Sequence, residues 1–175
     1  MDQNFKYKRI IILGGSGSGK STLANRIGLF TGYPVYHLDK LFLDSKWQLK
    51  EKEERLNICR KEFLSKDVGV VDGNYSSLLS PRIEWSDLII FINIPTYIKL
   101  YRIFKRLIES IFGINTRQGV LGEAKANINW KHIKWVYNWN RSHVDKYLNI
   151  FSSIKDKKVL IIKKPMKLDL EELFK

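Results

Sequence analysis

The stretch Gly14–Ser21 reads GGSGSGKS and combines backbone freedom with one cation, a pattern suited to binding phosphate. It fits the spacing G-x-x-x-x-G-K-[ST], in which glycines let successive N–H groups turn toward one anion. We expect Lys20 to reach the β- and γ-phosphates of a nucleotide and the hydroxyl of Ser21 to hold Mg²⁺. The residues predicted to bind the nucleotide are Gly14, Gly15, Ser16, Gly17, Ser18, Gly19, Lys20, Ser21 and Thr22. The motif predicts triphosphate binding but not the destination of the phosphate.

Two carboxylates follow predicted strands. Asp39 comes after the run Pro34–His37, and Asp72 comes after Val68–Val71. Ligands of parallel α/β sheets collect at the carboxyl ends of the strands, so both carboxylates should face the same crevice as the glycine-rich loop. Asp72 is predicted to order Mg²⁺ or its waters, unless the pair Asp72-Gly73 only forms a turn. Asp39 is predicted to bind an acceptor hydroxyl and to act as its base, unless it caps a helix or turn.

The residues next to these carboxylates are candidates for an acceptor pocket. Gly73 permits close backbone approach, and Asn74 and Tyr75 are predicted to line the pocket with it. Arg82 is predicted either to bind an anionic acceptor or to pair with a neighbouring carboxylate. His37 is interpreted as a packed or hydrogen-bonded histidine and not as a catalyst.

Strand-like and helix-like patterns alternate along the chain, which favours βαβ units and a parallel sheet. The predicted strands are Arg9–Leu13, Pro34–His37, Val68–Val71, Leu88–Ile94 and Val159–Ile162. The predicted helices are Lys20–Phe30, Leu49–Ser65, Thr96–Phe112, Trp130–Phe151 and Leu168–Phe174. The glycine-containing segment Gly113–Asn127 lacks periodicity and is predicted to be a loop or mobile segment. The chain is therefore predicted to form one five-stranded α/β domain.

Length and composition narrow the possible classes of protein. The 175 residues suit one domain, and 44% hydrophobic residues suffice for a core. A single cysteine, Cys59, excludes an internal disulfide and is predicted to pack as a small hydrophobe. No apolar run approaches the roughly 18 residues needed to span a bilayer, and the amino terminus is polar, so we expect a cytoplasmic protein without membrane contact. The net charge of +13 either attracts polyanions or reflects a general lysine bias.

The chain is too short for the second lobe of a helicase or motor, and it lacks the N-K-x-D segment expected of a GTPase. A small kinase or a compact ATPase remains. Arg102 and Arg106, four residues apart on one predicted helix face, could stabilise the negative charge that develops during phosphoryl transfer. Arg117, in the glycine-containing segment, could swing onto the nucleotide or be an ordinary surface charge.

Five segments together resemble the topology modulation protein (FlaR-like) group of adenylate-kinase-related P-loop kinases. They are GGSGSGKST, YPVYHLD at Tyr33–Asp39, VVDGNYSSLLSPR at Val70–Arg82, DLIIFINIP at Asp87–Pro95 and YRIFKR at Tyr101–Arg106. The resemblance covers nearly the whole chain. It implies a three-layer P-loop NTPase fold with a five-stranded parallel sheet in the order 2-3-1-4-5 and helices on both faces. It also implies the use of ATP and Mg²⁺, and a lid at approximately residues 107–140.

The same resemblance implies roles for particular residues. It gives Asp72 the place of the aspartate in the adenylate-kinase D-G motif, and Arg106 and Arg141 the places of phosphate-binding arginines. Together with Lys20 and Asp39, the two arginines complete the predicted catalytic set of Lys20, Asp39, Arg106 and Arg141, unless either arginine is an ordinary surface or helix-pair charge. The chain departs from adenylate kinase after its second and third strands, where that enzyme reads T-G-D-M-L-R and D-G-F-P-R. AMP is therefore not expected as the acceptor.

Two functions are compatible with these residues. The first is a kinase that transfers phosphate from Mg-ATP to a small hydroxyl- or phosphate-bearing acceptor, possibly a nucleotide. The alternative is an ATP-dependent nucleic-acid-associated regulator, motivated by the charge and by tryptophans interleaved with lysines. Those residues are Trp130, Lys131, Lys134, Trp135 and Trp139. The competing interpretation of Trp135 and Trp139 is an apolar stripe that docks their helix on the core.

Overall fold

The apolar, β-branched runs of the sequence form five parallel strands in one sheet. The structure, a computed structural model, describes residues 5–44, 48–112 and 130–175. The strands are β1 (Arg9–Gly14), β2 (Val35–His37), β3 (Gly69–Asp72), β4 (Leu88–Ile92) and β5 (Lys158–Ile162). They lie in the order β2-β3-β1-β4-β5, which confirms the predicted fold class and strand order.

Helices connect the strands. They are α1 (Lys20–Thr31), α2 (Leu38–Phe42), α3 (Lys52–Cys59), α4 (Leu79–Trp85), α5 (Thr96–Ile111), α6 (Trp130–Ser152) and α7 (Leu170–Phe174). A π-helical turn at Arg60–Leu64 extends α3, and 3₁₀ turns occupy Ser76–Leu78 and Pro165–Lys167. The sequence did not predict α2 and α4, because helices of five and seven residues are too short to establish a helical period.

The core lies on both faces of the sheet. Ile10 and Ile12 of β1 pack with α1 and α7 on one side. Ile11 and Leu13 pack on the other side, with residues of α2, α3 and α6. Cys59 is buried in this second cluster, as predicted, and burial raises the pKa of its thiol to about 11. Because alternate side chains of β1 are buried on opposite faces, the domain has three layers.

The strand register brings the predicted site residues to one edge. His37 pairs with Asp72 between β2 and β3, and Ile12 of β1 also pairs with Asp72. On the other side of β1, Gly14 pairs with Ile92 at the end of β4. The carboxyl ends of these strands therefore surround the start of the glycine-rich loop.

The predicted lid lies partly outside the residues that the structure describes. The proposed lid at 107–140 covers the end of α5, the start of α6 and residues 113–129. Residues 113–129, which include Arg117, lie outside the described residues.

Within the part of the chain that is described, no helix combines the length and apolar character needed to cross a membrane.

Candidate functional site

The glycine-rich loop joins the end of β1 to α1, which begins at Lys20. Gly17 and Gly19 have φ angles of +77° and +98°, a left-handed backbone that side chains rarely adopt. Gly15 O accepts hydrogen bonds from Ser18 N and from Lys20 Nζ, each at 3.2 Å. The loop thus curls back on itself at the positive end of the α1 dipole, a geometry that suits a phosphate group.

Lys20 lies among charges of both signs. Burial lowers the pKa of its ammonium group, and the charges of Asp72 and Asp39 oppose that shift. The charge of Arg106 lowers this pKa further. Four of the predicted site residues are therefore coupled through their charges: Lys20, Asp39, Asp72 and Arg106.

Asp72 is held by hydrogen bonds on both carboxylate oxygens. Ser21 Oγ donates to Oδ2 at 2.6 Å, and His37 Nδ1 lies 2.6 Å from Oδ1. His37 Nε2 lies 3.0 Å from Asn25 Oδ1 at its other end, so His37 is a hydrogen-bonded histidine, as predicted. A histidine that orients a carboxylate in this way is a common arrangement behind a metal ligand.

The oxygen pair of Ser21 and Asp72 fits Mg²⁺. A hydroxyl and a carboxylate are the protein ligands that this ion takes beside phosphate, while keeping several waters. The described residues contain no group of three or more His, Cys, Asp or Glu side chains that could hold a metal ion. A cation at Ser21 and Asp72 would therefore require further oxygens from phosphate and water.

Asp39 and Tyr75 form a second polar pair at the same edge. Tyr75 OH donates to Asp39 Oδ1 at 2.8 Å. Burial raises the pKa of the Tyr75 phenol, and the charge of Asp39 raises it further, so the phenol remains a donor. Tyr75 packs edge-on against Phe42, with ring centroids 4.8 Å apart, while Asp39 stays exposed. The carboxylate is fixed on one side and open to an incoming hydroxyl.

Arg55 is a residue of this region that the sequence analysis missed. Its side chain is only 8% exposed, and its guanidinium carbon lies 5.8 Å from the Phe42 ring centroid and 5.9 Å from that of Tyr75. Nη1 makes a 3.4 Å hydrogen bond to Ser77 Oγ, whereas Nε has no hydrogen-bond partner among the described residues. In the sequence it is one of many charges in a helical segment, and only the fold turns it inward.

Arg82 does not act as predicted. It has no exposed surface, and Nε, Nη1 and Nη2 donate to the carbonyl oxygens of Leu78, Gly73 and Tyr75 at 3.0, 2.8 and 2.8 Å. Burial lowers the pKa of its guanidinium to about 10. Both predictions for Arg82, an anionic acceptor or a neighbouring carboxylate as its partner, are wrong, because backbone carbonyls use its donors. It braces the segment that carries Tyr75.

Gly73 and Asn74 also contribute to this bracing. Asn74 Oδ1 accepts a 3.0 Å hydrogen bond from Gly14 N, and Asn74 O accepts one of 3.1 Å from Tyr147 OH. Gly73 has a φ of +141°, and a Cβ atom there would lie 2.8 Å from Leu38 Cβ. Of the three residues predicted to line the acceptor pocket, Tyr75 is the one that presents a polar side-chain group beside Asp39.

The two α5 arginines differ in their contacts. Arg102 Nη1 donates to Ser18 O at 2.9 Å and thereby supports the glycine-rich loop from outside. Arg106 is exposed, and its Nε donates to Arg102 O at 3.2 Å. The charge of Arg106 also contributes, as the smallest of the named causes, to the lowered pKa of Lys20.

Arg141 lies on the solvent-exposed face of α6. Its guanidinium carbon lies 5.9 Å from the ring centroid of Tyr137 on the same helix. The residues of α6 that pack into the core include Trp139, Tyr147 and Phe151, on the opposite face. The role of Arg141 in binding the transferred phosphate stays a prediction.

The described tryptophan side chains of α6, Trp135 and Trp139, differ in their exposure. Trp139 is buried and packs against Gly15, where an added Cβ would lie 3.0 Å from Trp139 Cε3. Trp135 is 44% exposed. Trp139 thus docks α6 on the core, as the competing interpretation predicted, and the nucleic-acid alternative gains no support from it.

Arg102 and Pro165 form a wall beside the start of α1. A Cβ added to Gly19 would lie 3.4 Å from Arg102 Nη1 and 3.6 Å from Pro165 Cγ. Arg26 anchors this wall, with Nη2 donating to Leu168 O at 2.7 Å. A guanidinium plane and a proline ring are suitable partners for the flat face of a base.

Comparison with known proteins identifies the fold. No family model and no curated protein matches the sequence. Shikimate kinase from Acinetobacter baumannii, solved in complex with shikimate, is 14% identical, with a TM-score of 0.56 over 90% of this chain and 84% of that chain. Shikimate kinase from Bacteroides thetaiotaomicron is also 14% identical, with a TM-score of 0.55 over 95% of this chain and 92% of that chain. The chain therefore has the fold of these P-loop kinases.

Proposed function

We propose that this protein is an ATP-dependent phosphotransferase that phosphorylates the hydroxyl of a small acceptor carrying an anionic group. One observation supports this most directly: the Ser21–Asp72 pair and the Asp39–Tyr75 pair lie at the same edge of the sheet, with Lys20 under the charge of both aspartates. The first pair suits a nucleotide with its cation, and the second suits a hydroxyl.

On the donor side, the loop amides and Lys20 hold the β- and γ-phosphates. Ser21 and Asp72 hold Mg²⁺, which when bound neutralises part of the phosphate charge. His37 keeps the Asp72 carboxylate in place. Arg106 lies close enough to act on Lys20 and is our candidate for the side chain that stabilises negative charge on the transferred group. Arg102 and Pro165 flank the base.

On the acceptor side, Asp39 accepts the proton of the acceptor hydroxyl as its oxygen bonds to the γ-phosphorus, while the bond to the bridging oxygen breaks and ADP leaves. Tyr75 holds the carboxylate in position through its phenol. The anionic group is assigned to Arg55, because a buried guanidinium with an unused donor favours a carboxylate or phosphate partner.

The fold similarity to shikimate kinases supports a small-molecule acceptor. Because five segments of the sequence resemble the topology modulation group, we also propose a relationship to that group. The acceptor itself follows from neither comparison.

The test is a coupled assay of ADP release over a panel of hydroxylated carboxylates, sugar phosphates and nucleosides, combined with calorimetry of Mg-ATP binding. Wild type should bind Mg-ATP and release ADP with at least one acceptor, and Lys20→Met should lower the rate by a factor of about 100 or more. Lys61→Met, an identical change at an exposed position, is the control and should match wild type. Absence of Mg-ATP binding by wild type, or equal rates for wild type and Lys20→Met across the panel, would overturn the proposal.

A further inference from the structure

Lys99 is a buried lysine for which the sequence suggested no role. It lies on α5 with 1% of its surface exposed. Nζ donates to Asn140 Oδ1 and lies 4.5 Å from the ring centroid of Trp139. No carboxylate of the described residues forms an ion pair with it. A buried ammonium is unfavourable unless a negative charge accompanies it.

The position of Lys99 indicates where that charge would come from. A Cβ placed on Gly15 would lie 2.8 Å from Lys99 Nζ, so the ammonium lies against the glycine-rich loop. Burial, and secondly the charge of Lys20, lower the pKa of Lys99 to about 8. Two ammonium groups therefore repel each other next to one loop, and a polyanion bound there would relieve the repulsion.

We propose that Lys99 is a second cation of the phosphate-binding site, held ready by Asn140 and Trp139, and that the phosphate tail of the nucleotide supplies its missing counter-charge. This inference rests on the proposed function, since it assumes that the loop binds a nucleotide.

The contacts of Lys99 also tie the loop to α6. Asn140 Nδ2 donates to Ile94 O at 3.1 Å, at the end of β4, while Asn140 Oδ1 accepts from Lys99. Trp139 packs over Gly15 and the ammonium together. A phosphate that attracts Lys99 therefore acts on the helix turn that carries Trp139 and Asn140.

Several titratable or charged groups face this cluster and define the pH window of a test. Lys20 approaches from α1, and its pKa is lowered by burial. Arg102 lies one turn along α5 and contacts the loop. His143 of α6 stacks on Trp139, with ring centroids 5.3 Å apart and planes at 3°. Because the variants differ only at Lys99, these groups are common to all of them, and a difference between the pH profiles of the variants reports on Lys99.

The experiment measures binding of Mg-ATP and of tripolyphosphate by calorimetry at pH 7.5 and pH 9. Lys99→Met is compared with Lys105→Met, the same change at an exposed position of α5. We expect Lys99→Met to weaken both ligands by roughly 10- to 100-fold at pH 7.5, with Lys105→Met within about twofold of wild type. Between pH 7.5 and pH 9, the affinity of wild type for both ligands should fall by a factor about ten times larger than the corresponding factor for Lys99→Met.

The outcomes separate the two hypotheses. If wild type binds neither ligand, the proposed function fails. If wild type binds both and Lys99→Met binds equally well with the same pH profile, the proposed function stands and the role of Lys99 is refuted. Lys99→Gln, which keeps a donor for Asn140, provides the same comparison should the methionine variant not fold, and unchanged affinity in that variant would also refute the role.

Discussion

Replacing Arg82 with methionine tests whether the segment beside the acceptor site depends on one buried side chain. Methionine has a similar length but no donors. The three guanidinium nitrogens currently satisfy the carbonyls of Gly73, Tyr75 and Leu78. With Arg82→Met these carbonyls lose the donors of a side chain that is 0% exposed. The bonds to Leu78 O and Gly73 O are buried, and the bond to Tyr75 O is part-buried.

The magnitude follows from two opposing terms. Each buried carbonyl left without a donor costs about 1–3 kcal/mol. Removal of a buried guanidinium relieves part of its own desolvation, which the lowered pKa of Arg82 reflects. We therefore expect a net loss of about 3–5 kcal/mol, a large fraction of the roughly 5–15 kcal/mol typical of a domain.

Urea unfolding followed by tryptophan fluorescence measures this loss. Arg60→Met is the matched control, because Arg60 is exposed and its Nη1 makes a 3.2 Å hydrogen bond to Asn57 Oδ1 of the same helical segment. That variant should remain within about 0.5 kcal/mol of wild type. If the free energy of unfolding of Arg82→Met lies within about 1 kcal/mol of the wild-type value, the three hydrogen bonds contribute little to stability, contrary to this reasoning.

Three other predictions concern the site. The pKa of Lys99 is about 8 in the folded protein, below its ordinary value of 10.5. Stability without nucleotide should therefore rise between pH 8 and 10.5 by up to about 3 kcal/mol, and urea unfolding of Lys99→Met should lack this increment. His37→Phe removes the hydrogen bond to Asp72 and should raise the Mg²⁺ concentration for half-maximal ADP release by about tenfold, while an unchanged magnesium titration would contradict the orienting role. Tyr75→Phe frees Asp39 and should raise KM for the acceptor by about three- to tenfold, and a larger change in KM for ATP would count against this assignment.

The parts of the fold that sequence predicts are those with a local physical cause. The strands β1, β3 and β4 are short apolar runs, and burial on both faces explains why polar residues do not alternate in them. The glycine-rich loop is recognisable because its spacing and its place between a strand and a helix occur together. Asp39 and Asp72 are predictable from their positions after strands.

Whether the remaining side chains point toward the site depends on the orientation of the helices that carry them. Arg55 and Lys99 look like surface charges in sequence, yet packing turns both inward. On α6, the face that is buried carries Trp139, and Arg141 is exposed. Arg82 looked like an anion ligand, but its neighbours in the chain supply carbonyls that use its donors first. Hydrophobic periodicity does not specify such orientations when a long polar side chain can point either way.

The surroundings of Gly15 and its loop have a consequence for how the protein gains its binding ability. Asn74, Lys99, Trp139 and Pro165 contact this short loop from well-separated parts of the chain. Contacts between distant parts of a chain form late and slow the folding of small domains. During synthesis the glycine-rich segment would therefore be made early, but the proposed nucleotide site would be complete only after the segment around Pro165 had packed against it.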